Sequence, residues 1–224
     1  MWSALGDTLP LAVGLTLSPI ALITGLILLL GDRGAPKAAL FGAGWFTAIV
    51  ILATIAMVLV DRAEEDDPVQ ASKGVDIVSL SFGLLFFVLA YLTWHKRGQD
   101  GEKGPEHKLL DRLNTIGVGG AYAMGVTQGF VVIKNWPLAL GSGALLGAAG
   151  LDRAQSVLAV ILFGVMATGG VIALLVVTMI GGNRLNGPLA EFREWLEANI
   201  LPITLTTLLF FGSFFLGKGL GILG

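Results

Sequence analysis

Long apolar stretches alternate with short polar ones along this chain. Five stretches have clear edges, at roughly 9–30, 38–60, 75–94, 154–180 and 200–216. Each is near the ~20 residues that cross ~30 Å of hydrocarbon as a helix. Lipid offers no partner to a bare backbone amide, so segments of this kind are predicted as helices. The alternating apolar and polar strands of a membrane barrel are absent. The stretch 113–150 is too long for one ordinary span, and its second half carries Lys134, Asn135 and Pro137. It is read as one discontinuous span over about 121–149, entered by a surface segment around 113–120. A pair of spans, or a re-entrant loop, is the alternative. The predicted fold is an all-α membrane protein with six transmembrane helices, of which the first and fourth are broken.

The same pattern recurs within the chain. Pro19-Ile20-Ala21-Leu22-Ile23-Thr24-Gly25 lines up with Pro137-Leu138-Ala139-Leu140-Gly141-Ser142-Gly143. Asp32-Arg33 is echoed by Asp152-Arg153. In each half a proline-interrupted span leads into a short charged turn and a long Ala/Val/Ile-rich span. Three spans per half is an odd number, so the two halves are predicted to face opposite ways, a recurring transporter plan. The divisions follow: residues 1–95 form the first three-helix repeat, 96–114 a connecting loop, and 115–224 the second repeat. Within the second repeat, Leu189, Phe192, Leu196 and Ile200 follow Asn186-Gly187-Pro188 at helical spacing, with Glu191, Arg193, Glu194 and Glu197 on the other face. Residues 186–199 are therefore predicted as a helix lying in the cytoplasmic interface.

Composition agrees with the bilayer. Of 224 residues 54% are hydrophobic and only 13% charged, with a mean hydropathy of +0.81. A soluble domain has about 25% charged residues, and so few leave too little polar surface to wrap one. The net charge of −2 gives no reason to expect a nucleic-acid partner. No cysteine is present, which removes disulfides, thiol catalysis and thiolate metal sites. Met1-Trp2-Ser3-Ala4 has no basic lead-in, so the first apolar segment is expected to remain as a span. Nine Lys and Arg residues fall on one side of the predicted spans and four on the other. The excess marks the cytoplasmic side. Both termini are then expected outside the cytoplasm, with the basic 96–112 loop inside and the acidic 61–67 loop outside.

Candidate chemistry gathers at the two breaks. A proline inside a helix removes a hydrogen bond and frees carbonyl dipoles, which can serve a solute only where they face a cavity. Thr16, Ser18 and Thr24 surround Pro19; Thr127, Gln128, Asn135 and Ser142 surround Pro137. Any single hydroxyl is explained as well by a bond back to its own helix; the symmetric pair of breaks points to a shared substrate site. Lys134 carries a charge into the fourth span, at a cost of at least ~2.5–3.5 kcal/mol at mid-bilayer. With Asn135 it is expected to attract a carboxylate, phosphate or sulfate. The alternative is that the span is registered differently and Lys134 snorkels to an interface. His95 and His107 are not expected to bind metal, and Gly117-Val118-Gly119-Gly120 lacks the elements of a nucleotide loop. No cofactor and no enzymatic activity are expected.

Leu17-Ser18-Pro19 and Asn135-Trp136-Pro137 occupy the positions of the breaks of the lysine exporter superfamily, which the chain resembles. Leu17-Ser18-Pro19-Ile20-Ala21, the 31–39 turn and Lys134-Asn135-Trp136-Pro137-Leu138 are most similar to its actinobacterial glycopeptidolipid- and sulfolipid-addressing group. The resemblance implies six spans in two inverted halves and delivery of an envelope glycolipid or its precursor across the inner membrane. The Pro-Gly-Pro and Asn-Pro-Lys signatures of the amino-acid exporters are not intact, and the membrane cysteines of a related redox branch are missing. Three functions are carried forward: an envelope-lipid transporter, a small-solute exporter, and a non-transporting scaffold of a lipid-export complex. The expected partners are the membrane, a lipid or small-molecule substrate, and a second copy of the chain or an export complex.

Overall fold

A computed structural model describes residues 1–66, 68–95, 97 and 116–222. Every regular element among the described residues is helical. In chain order these are α1 (Trp2–Thr16), α2 (Pro19–Leu30), α3 (Gly34–Asp66), α4 (Pro68–His95), α5 (Val118–Val131), α6 (Asn135–Gly147), α7 (Arg153–Ala167), α8 (Gly169–Gly181), a 3-10 turn (Gly182–Leu185), α9 (Asn186–Ala198) and α10 (Ile200–Gly219). Three helices are long and apolar enough to cross a membrane alone, within α3, within α4 and in α10. Three bent pairs pass the same test together: α1 with α2 at 57°, α5 with α6 at 81°, and α7 with α8 at 61°. The described residues thus hold three to six candidate spans.

Both predicted breaks are present, and each has a local cause. Ser18 is extended and Pro19 opens α2 at a first-turn position, where its missing N–H costs nothing. Val132 is extended after α5, and α6 restarts at Asn135 with Pro137 in its first turn. The expectation of an unbroken fifth span over 154–180 is corrected. α7 ends at Ala167 and α8 begins at Gly169, with Thr168 between them back-bonded to the Gly164 carbonyl at 2.8 Å. A Thr-Gly-Gly sequence, with weak helix formers and a competing hydroxyl, supplies the bend without a proline.

One further expectation changes. Residues 61–66 continue α3, a 33-residue helix, instead of forming an acidic loop. The helix predicted over 186–199 is present as α9, reached through the 3-10 turn and ending in the cap Asn199. The loop predicted over 96–114 lies outside the described residues apart from Arg97, whose guanidinium stacks 3.1 Å over the Trp94 ring. Residues 113–115 of the predicted surface segment also lie outside them.

α3 is the spine of the molecule and packs against α5, α6 and α7. The contact is backbone to backbone: a Cβ on Gly125 would overlap the Phe41 carbonyl, and one on Gly143 the Ala53 carbonyl. Small residues permit this approach where lipid supplies no hydrophobic force between helices. α2 is buried along nearly its whole length and touches α3, α8 and α9. α4 and α10 pair at the other side through Phe82, Phe86, Phe211 and Phe215, with ring centroids 5.7–6.2 Å apart.

Candidate functional site

The α5/α6 break is closed by its own side chains. Bending the span takes amides away from the last carbonyls of α5. Asn135 Nδ2 reaches the Gly129 carbonyl at 3.5 Å, and the Trp136 indole N–H donates to the Phe130 carbonyl at 2.7 Å. The amides of Asn135 and Trp136 donate to Val132 and Ile133, and Pro137 has none. The start of α6 therefore offers few free backbone donors. Lys134 stands at that start, only 6% exposed, so its side chain lies inside the fold and does not snorkel to the surface.

The first and fourth breaks are joined by one side-chain bond. Gln128 Nε2 donates to Thr24 Oγ1 at 2.8 Å, and both residues are fully buried. Ser18, Asn135 and Ser142 are buried as completely. Ser142 bonds back to the Leu138 carbonyl at 2.8 Å and does not join the group. Thr127 is exposed on α5. Among the described residues, Ser18 Oγ, Gln128 Oε1 and Asn135 Oδ1 are buried without a hydrogen-bond partner. Buried polar groups are normally satisfied, so three such oxygens at two breaks call for an explanation.

Thr16 is committed elsewhere. Its hydroxyl donates to the Met166 carbonyl at 2.6 Å, and a Cβ on Gly170 would lie 2.5 Å from the Thr16 carbonyl. The first break is thereby latched to the α7/α8 bend. Sequence reasoning missed Met166, Thr168 and Gly170; the available signal was a Thr-Gly-Gly run inside an apolar stretch longer than one span needs.

A groove of about 570 Å3 runs between α1 and α10. Val13, Gly14 and Leu17 form one wall, Ile203, Phe210 and Phe211 the other, and Trp195 and Asn199 stand at its α9 end. It is almost wholly apolar and open to the side of the bundle, and its Leu17 end is the first break itself. The volume is that of ordinary ligand pockets. Among the described residues no cluster of His, Cys, Asp or Glu could hold a metal ion.

The family model described as Sap, sulfolipid-1-addressing protein, matches residues 8–221, and the chain belongs to that family. No curated protein and no solved structure matches the chain.

Proposed function

We propose that this member of the sulfolipid-1-addressing family moves an anionic envelope lipid, or the precursor of one, across the plasma membrane without covalent chemistry of its own. The observation that carries this reading is the sideways-open apolar groove between α1 and α10, which ends at the first break. A lipid tail keeps its apolar surroundings there while its head reaches the breaks. A water-soluble solute would gain nothing from such a slot and would call for a closed vestibule. The buried ammonium of Lys134, beside Asn135 and Pro137, supplies attraction for a sulfate, phosphate or carboxylate on the head.

The alternating motion follows the lysine exporter plan that the sequence resembles, with two inverted halves rocking about the breaks. Reciprocal packing supports it: α3 of the first half lies on α5 and α6, and α7 of the second half lies on α1. The sequence contains no nucleotide-binding element, so an ion gradient or a partner in an export complex supplies the energy.

The test compares surface lipids of a deletion strain with those of its parent, then restores either the wild-type chain or Val13→Trp. Val13 is 51% exposed in the groove wall, so the larger ring fills the groove without entering the core. The expected outcome is loss of one anionic surface lipid, restored by wild type and not by Val13→Trp. An unchanged envelope with altered export of a small solute would overturn the lipid reading. Full restoration by Val13→Trp would remove the groove from the path.

A further inference from the structure

We propose that Phe211 of α10 is a gate between the groove and the two proline breaks. It is closed while its ring sits on Gly14 and open when the ring turns into the groove. Phe211 and Gly14 both line the groove, yet Phe211 is only 4% exposed. A Cβ on Gly14 would lie 2.4 Å from Cε2 and Cζ of Phe211, so the ring takes room that only a glycine leaves. The same Cβ would lie 3.2 Å from Leu138 Cδ1. α1, α6 and α10 therefore meet at one seam, and Phe211 is its groove side.

What lies behind the seam follows from register. A Cβ on Gly141 would lie 3.6 Å from Leu11 Cδ1. Gly14 thus pairs with Leu138 and Leu11 with Gly141, so α1 and α6 run antiparallel. Continued by one turn, the pairing brings the end of α1 and the start of α6 to one level. Those ends are the two breaks, where Ser18 and Asn135 are fully buried. A second ring marks the contrast. Phe215 rests on Gly141 much as Phe211 rests on Gly14, with a Cβ there 2.8 Å from its Cε1 and Cζ. But Phe215 stacks on Phe86 at 16°, meets Phe82 edge-on and lies outside the groove. Phe211 has about 570 Å3 of groove beside it, which gives its ring room for another rotamer without displacing the core. What passes the gate rests on the lipid reading; the opening of the ring does not.

The chain has no cysteine, so Ser18→Cys puts a single thiol behind the gate. Ser18 Oγ has no hydrogen-bond partner, so the change loses no bond. The full chain, in nanodiscs of zwitterionic lipid, is reacted with N-phenylmaleimide, which enters the bilayer, and the labelling rate is followed. A minor open state is populated at about 0.1–10%, so Phe211→Ala should raise the rate at least about tenfold. Gly14→Ala should raise it too, because the new methyl pushes the ring off its seat. Phe215→Ala removes an equal ring outside the groove and should leave the rate near its starting value. If Phe211→Ala does not fold, Phe211→Leu and Gly14→Ala decide, and unchanged rates in both overturn the gate. An unchanged rate in Phe211→Ala overturns it as well. So does an equal rise in Phe215→Ala, the mark of a loosened core, or a slower or unchanged rate in Gly14→Ala, the mark of a ring that only fills space. No cargo is present, so failure here leaves the lipid reading standing, and failure of the lipid reading leaves these rates untouched.

Discussion

Asn135 and Trp136 spend their side chains on the helix that has just ended, capping the Gly129 and Phe130 carbonyls of α5. The Asn-Trp-Pro run is thus first a device for breaking a span without orphaning its backbone, since an unmet carbonyl in hydrocarbon costs several kcal/mol. Lys134 caps neither carbonyl. It is 6% exposed at the point where α6 begins, and the proposed head-group role starts from that burial beside Asn135. Lys134→Ala is expected to weaken binding of an anionic lipid analogue by at least about tenfold, a loss of ~1.4 kcal/mol, and to leave a neutral analogue of the same chain length unchanged. Equal loss for both analogues, measured on the purified protein, would end the anion role. The polar clusters round Pro19 and Pro137 were legible in the sequence, because polar residues stand out in apolar spans. Their destinations were not. Thr16 bonds Met166, 150 residues away, while Ser142 merely bonds back within its own helix. Nothing local distinguishes those two hydroxyls.

Among the helices, α3 sets the tolerance of the whole bundle, because two half-spans lie on it backbone to backbone. Gly143→Val would drive a branched side chain into the Ala53 carbonyl, with no flexible neighbour to yield. Overpacking of this kind costs about 1–3 kcal/mol or more. The melting temperature should fall clearly, whereas Gly119→Ala, which meets open space, should hold it or raise it slightly. A Gly143→Val protein as stable as wild type would show that α3 and α6 are not in close contact. Element existence was readable because apolar length and proline position are local properties. The two proline breaks were found for that reason. The α7/α8 bend escaped because glycine in a span is as often a packing residue as a weak point, and only tertiary contact, here Thr16 against Gly170, tells the two apart. The acidic 61–66 segment continues α3 because charge ends an apolar span without ending a helix, whose backbone bonds form in water as well.

At the scale of the molecule, the open matter is how the three bent pairs sit across the membrane, since each counts either as one broken span or as a re-entrant loop. The lipid reading needs spans, with each half inverted relative to the other. The chain has no cysteine, so single cysteines can be placed on an otherwise silent background. Ser3 and Gly119 are each the second residue of a broken span, and Ala35 and Gln155 stand in the first turns of the helices that follow those spans. Ser3, Ala35, Gly119 and Gln155 are all exposed. An impermeant maleimide on intact cells is expected to label Ser3→Cys and Gln155→Cys. Ala35→Cys and Gly119→Cys should label only after permeabilisation, as the Lys and Arg distribution requires. Ser3 and Gly119 on the same side would refute the inversion. Gly119 and Gln155 on the same side would make α5 and α6 a re-entrant loop. In that case the Thr24–Gln128 bond would join a span to a loop that dips in and returns, and rocking of two halves could no longer carry a head group past it.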